Sequence, residues 1–164
     1  MITIEELSPN DFDLVASWLS RPENNRWLTA EWRGRQVNAT VLAMVTRNRR
    51  NQLFLVRNGG NPCGLVALAD IDTVDRVAMV WYVLGDRTLG GKGITSEAVR
   101  QATAHAFAKL NLECVYAWIM EDNVASGKVL AKAGYREAGR LRAATRSGDK
   151  QVARVYFDRA RDNL

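Results

Sequence analysis

Val77-Ala78-Met79-Val80-Trp81-Tyr82-Val83-Leu84 is an unbroken apolar run, followed by the polar, glycine-rich Gly85-Asp86-Arg87-Thr88-Leu89-Gly90-Gly91-Lys92-Gly93. At Ile94-Thr95-Ser96-Glu97-Ala98-Val99 the pattern becomes helical. A run without alternation reads as a central strand covered on both faces. The helix carries Ile94, Ala98, Val99, Ala102, Ala106 and Leu110 on one face and Glu97, Arg100 and Gln101 on the other. It feeds a second apolar run, Cys114-Val115-Tyr116-Ala117-Trp118-Ile119-Met120. Strand, helix and strand in that order form a crossover, so the two strands are expected to lie parallel.

Upstream, Leu53-Phe54-Leu55-Val56 and Gly64-Leu65-Val66-Ala67-Leu68-Ala69 flank Asn58-Gly59-Gly60-Asn61, a strong hairpin signal. A second turn near Asp72 to Asp75 leads into the Val77 run, giving three consecutive antiparallel strands. The N-terminus reads as a strand over residues 1–7 and, after Ser8-Pro9-Asn10-Asp11, a helix from Phe12 to Leu19. Between residues 22 and 50 the pattern is weaker. Trp27, Leu28 and Trp32 suggest one short helix, and Val41 to Val45 another. Downstream, Asn123 caps a helix through Ala133, Gly134 ends it, and two strands flank Ser147-Gly148-Asp149. The expected fold class is α+β (mixed α/β): a mostly antiparallel sheet of about six to seven strands, with one parallel crossover and helices on both faces. No repeat or linker divides the chain, so residues 1–164 read as a single domain.

The chain has 164 residues, 47% of them hydrophobic and 25% charged, enough for a core without disulfides or metals. Cys63 and Cys114 each fall within a strand and read as free thiols, and one histidine argues against a Cys-His metal site. No apolar stretch is long enough to span a bilayer and the start lacks a secretory pattern, so a cytoplasmic protein without membrane contact is expected. The formal charge of +5 and the cluster Arg47-Asn48-Arg49-Arg50 raise nucleic-acid binding, but no aromatics interleave the cluster. No nucleic-acid partner is expected. The cluster is either a solvated loop or a surface that draws an anionic cofactor or partner. A homodimer is left open.

Gly90-Gly91-Lys92-Gly93 lies between a strand and a helix N-terminus, where free amides and the helix dipole favour a phosphate. A phosphate-loop reading of the Walker type fails, because Lys92 is followed by Gly93 instead of a hydroxyl residue. A dinucleotide fingerprint comes closer, with Gly91, Gly93 and Ser96 in the glycine places. The antiparallel hairpins upstream argue against that fold.

Taken together, Trp81 to Asp86, Gly91 to Ala98, Asn123-Val124-Ala125-Ser126 and Lys132-Ala133-Gly134-Tyr135 resemble the acetyl-CoA-binding core of the GNAT superfamily of N-acetyltransferases. Within it, the chain most resembles the branch that includes the ribosomal-protein N-terminal acetyltransferases, and the order of elements is similar over nearly its whole length. The resemblance implies acetyl-CoA as co-substrate and no metal. It implies that backbone groups of Trp81, Tyr82 and Val83 bond the pantetheine arm. Leu89, Gly90, Gly91, Lys92, Gly93, Ile94, Thr95 and Ser96 would hold the pyrophosphate, with Asn123 and Ser126 near the sulfur end. The thioester would then lie between the two parallel strands, where they splay apart.

The chain also departs from the family's pattern. Thr88 stands where many relatives carry Gln or Arg, Leu130 where a tyrosine often protonates the departing thiolate, and Trp118 where some relatives have a basic carboxylate. Catalytic candidates therefore come from elsewhere. Asp70 and Asp72, at the hairpin end away from the glycine loop, either hold and deprotonate an amine or cap the turn. Ser126 either donates to the thiolate or caps a helix near the cofactor. Tyr82 is a weaker candidate for the acid, since the strand face it occupies is not legible. His105 reads as structural. Trp27, Trp32 and Trp118 either line an acceptor pocket or pack in the core.

The expected function is acetyl transfer to the amine of a small molecule such as an amino sugar, an amino acid or an antibiotic-like amine. Protein N-terminal acetylation and a non-catalytic acyl-CoA-binding module are the alternatives.

Overall fold

In a computed structural model, which describes residues 1–162, a seven-stranded sheet runs in the order β1-β2-β3-β4-β5-β7-β6. Its strands are β1 (Ile2–Glu6), β2 (Gln52–Asn58), β3 (Asn61–Asp72), β4 (Val77–Leu84), β5 (Cys114–Met120), β6 (Arg136–Ser147) and β7 (Lys150–Ala160). Neighbours are antiparallel except β4 and β5, which are parallel as the crossover requires. The β2–β3 turn places Gly59 at φ 56° and Gly60 at φ 86°, the paired left-handed geometry of a tight hairpin.

The helices are α1 (Phe12–Ser20), α2 (Pro22–Asn25), α3 (Ala39–Arg47), α4 (Ile94–Ala108) and α5 (Val124–Lys132). α1 and α3 cover one sheet face, burying Val15, Leu19 and Leu42 against Leu53, Leu55, Leu65 and Ala67. α4 covers the other, with Ala98, Val99, Ala102 and Ala106 against Val66, Leu68, Ala78 and Val80. Two cores thus share one sheet, which is why β3 and β4 are apolar on both faces. α4 stops at Ala108 and Asn111 takes φ 55°, so Leu110 lies beyond the helix.

One segment differs from expectation. The short helix is at Pro22–Asn25, while Trp27, Leu28 and Trp32 occupy the turns that follow. Proline at its first position favours that earlier start. Buried amides then hold the turns. Asn25 Nδ2 donates to Leu19 O and Trp32 O at 3.0 and 2.9 Å, and its Oδ1 accepts from Gly34 N at 2.7 Å. Asn24 Nδ2 donates to Trp18 O at 2.9 Å.

The pairing that matters most is the shortest. β4 and β5 pair only at Val77–Cys114, Ala78–Val115 and Met79–Tyr116. Beyond Met79, β4 continues to pair with β3 as far as Leu84, and β5 with β7 as far as Met120. The sheet therefore opens in its middle, and β4 presents an unpaired backbone edge from Val80 onward.

Candidate active site

A cleft of about 680 Å³ occupies this opening, a size suited to a small molecule or an extended cofactor arm. It reaches both sheet faces because side chains alternate along its walls. On β4, Val80 and Tyr82 point to the α4 side, while Trp81 and Val83 join the α1–α3 side. On β5, Ala117 and Ile119 belong to the α4 side, leaving Trp118 to the opposite face.

On the α4 side the cleft is lined by Leu89, Gly90, Gly91, Gly93, Ile94, Thr95 and Ser96, and by Asn123 and Ser126 at the start of α5. Gly91 and Gly93 take φ 77° and 80°, and neither would have a neighbour within 4 Å of an added Cβ. The space above both glycines is open. Gly93 is the N-cap of α4 and supplies no side-chain hydrogen bond, so first-turn amides are presented to the cleft. Arg87, Lys128 and Lys132 line the same end. These features fit a polyanionic phosphate group. Of the residues expected from sequence to touch the cofactor, Trp81, Tyr82 and Val83 also line the cleft, whereas Lys92 is exposed and does not.

The loop is anchored from the far side. A Cβ on Gly85 would lie 2.3 Å from Trp18 Cε2, so any side chain there would overpack at a cost of about 1–3 kcal/mol. Arg21 Nη1 donates to Gly85 O at 2.6 Å, tying the end of α1 to the exit of β4. Asp86 accepts from the Thr88 hydroxyl at 2.6 Å and from its amide at 3.0 Å, and these bonds lower its pKa.

Tyr82 Oη lies 2.6 Å from Ser126 Oγ, and either oxygen can donate. Asn123 Oδ1 accepts from Ser126 N at 3.3 Å, fixing the first turn of α5 beneath that pair. Burial raises the Tyr82 pKa above the ordinary phenol value, partly opposed by the Ser126 bond. Tyr82 therefore keeps its proton at neutral pH. Leu130, where a tyrosine often stands in the resembled family, is fully buried in the core.

Tyr135 is raised in the same way by burial, and its Oη lies 2.6 Å from Thr103 Oγ1. A phenol with a raised folded pKa contributes stability that is complete below about pH 10 and is lost as pH rises through the folded value. Melting temperature should accordingly be insensitive to these groups near neutrality and fall in alkali. The limiting slope for each tyrosine is roughly 1.4 kcal/mol per pH unit. Thermal melts between about pH 8 and 11 should show a shallower decline for Tyr135→Phe than for wild type. An equally steep decline would remove this cause.

Asp70 and Asp72 do not line the cleft. Asp70 is exposed at φ 50° in a β3 bulge. Asp72 Oδ1 accepts from Val74 N and Asp75 N at 2.8 and 2.9 Å, bonds that lower its pKa. The physical reason is that this hairpin sits at the paired end of β4 and β5, whereas the cleft begins where pairing stops. The turn-capping alternative describes Asp72, and the carboxylate on the cleft wall is Glu23 of α2. Sequence patterns offered no sign of Glu23, Asn24 or Met79 as lining residues. His105 bonds Gln52 Oε1 at 2.8 Å and stacks edge-on with Phe54, away from the cleft.

Residues 2–136 match the acetyltransferase (GNAT) domain family, and the chain belongs to that family. It is an acetyltransferase by that membership. A 64-residue stretch is 41% identical to the probable N-acetyltransferase YjcK of Bacillus subtilis strain 168, spanning 39% of this chain and 35% of that protein. YdaF of the same organism, provisionally named a ribosomal N-acetyltransferase, is 27% identical over 151 residues, covering 86% of this chain and 81% of YdaF. The fold is similar to that of spermidine N-acetyltransferase from Vibrio cholerae in complex with CoA and spermine. That likeness has a TM-score of 0.84 at 18% identity and covers 97% of this chain and 95% of that one.

Proposed function

We propose that this chain is an acetyl-CoA-dependent N-acetyltransferase acting on the amine of a small molecule, with residues 1–164 working as one cytoplasmic domain. The observation that carries the reading is the two-faced cleft, with an anion cradle on one side and the Tyr82–Ser126 pair at the crossing. Acetyl-CoA, when bound, supplies the activated acetyl group. Amides near Gly91, Gly93 and Thr95 hold its phosphates, helped by Arg87, Lys128 and Lys132. The free edge of β4 from Val80 onward bonds the amides of its arm. Glu23 on the cleft wall holds the acceptor's ammonium form, one proton leaves through water to free the amine, and a second leaves the nitrogen after it attacks the carbonyl carbon. As the C–S bond breaks, Tyr82 and Ser126 give a proton to the sulfur, and water carrying the proton released by the nitrogen restores it. Positioning an amine against a thioester supplies much of the rate without a strong base.

Two measurements test this. Release of free thiol from acetyl-CoA should depend on an added amine, and Ser126→Ala should lower kcat more than it changes coenzyme A affinity. An unchanged kcat with weaker affinity would make Ser126 a binding residue only. Absence of release with every amine would leave an acyl-CoA-binding module. The likeness to YdaF favours one further arm, peptides beginning with Ser, Ala or Thr; much faster acetylation of these would replace the small-molecule reading.

A further inference from the structure

Four of the chain's five tryptophans, Trp27, Trp32, Trp81 and Trp118, line the same cleft. The fifth, Trp18, packs against Gly85 in the core. Trp32 and Trp81 meet at 5.3 Å with planes tilted by 47°. Trp27 and Trp118 each carry a guanidinium on a ring face, Arg26 at 4.3 Å and Arg154 at 4.2 Å. The wall has a local support: the buried Asn25 side chain bonds Trp32 O and Gly34 N, holding the turns that present Trp27 and Trp32. Glu23 is the one carboxylate among the described residues lining the cleft.

We infer that the acceptor is a monoamine carried on a flat aromatic body, with the ring held among these tryptophans and the ammonium beside Glu23. This deepens, and rests on, the amine-acetylation reading above. The charge inventory sets the class. A polyamine brings several ammonium groups into a poorly solvated space, and each needs a partner. The lining provides one carboxylate, while Arg26 and Arg154 add positive charge against two of the walls. A single ammonium is matched by Glu23, and an aromatic ring gains both apolar burial and edge or offset contacts with tryptophan. An aliphatic amine of equal charge would forgo those ring contacts.

The test compares kcat/KM for 2-phenylethylamine, tryptamine, butylamine, spermidine and a Ser-Ala-Thr peptide, with acetyl-CoA saturating and thiol release as readout. The two aromatic amines should exceed butylamine and spermidine by roughly tenfold or more. Trp27→Ala alters a half-buried side chain in a turn and should narrow the phenylethylamine-to-butylamine ratio by roughly three- to tenfold. Trp118→Leu should narrow it as well. Spermidine, butylamine or the peptide performing as well as the aromatic amines would overturn the inference and leave acetyl transfer standing. An aromatic preference that neither variant reduces would also overturn it, because the tryptophans would not be its source. No release with any acceptor would remove the amine-acetylation reading itself.

Discussion

Tyr82→Phe is expected to reduce kcat by roughly a hundredfold while coenzyme A binds with nearly unchanged affinity. The phenol is held within 2.6 Å of Ser126 Oγ, and burial keeps it protonated far above neutral pH. At neutral pH it therefore still carries the proton that the proposed role would give to a leaving thiolate. Phenylalanine preserves the ring that packs on the α4 side and deletes only the hydroxyl. Single-turnover kinetics with acetyl-CoA and an active amine would separate this loss from slow product release. A kcat within about threefold of wild type would shift the donor role to Ser126 alone or to water.

Gly93→Val is expected to weaken coenzyme A binding by roughly tenfold to a hundredfold, with the fold retained. Two effects add. Gly93 sits at φ 80°, a left-handed conformation that a β-branched residue tolerates poorly. A side chain would also enter the open space above the first turn of α4, where a phosphate would approach its amides. Losing or misplacing such bonds costs about 1–3 kcal/mol. Calorimetric titration of folded protein with coenzyme A reads the change directly. Unaltered affinity would remove the argument that this loop cradles the phosphates.

The crossover was legible because its signals are local: an apolar run, clustered glycines, a helical period and another apolar run. The side of β4 on which Tyr82 stands was not. Val77–Leu84 is apolar on both faces, so its alternation has no visible phase until α4 and α1 are packed against it. Asp70 and Asp72 illustrate a related ambiguity. Sequence locates them at the hairpin end opposite the glycine loop, but not that β4 and β5 are paired there. The tryptophan-lined wall of the cleft was the least visible part. Trp27 and Trp32 suggested a helix by spacing, whereas their placement depends on Asn25 bonding backbone groups that no short-range pattern connects. Glu23 joins the wall from α2, just before these turns.

The three-residue pairing of β4 with β5 also divides the molecule mechanically. The strands β1 to β4 form one panel and β5, β7 and β6 another, joined by a short seam and by the helix that spans it. Central strands ordinarily protect their amides best, since opening them requires breaking ladders on two sides. Here the outer half of β4 has a ladder on one side only, so the middle of the sheet behaves as a rim. Under the proposed function, a ligand bonded along that rim and to the start of α5 would stitch the panels together, so that the molecule would gain cohesion across its full width when the site fills.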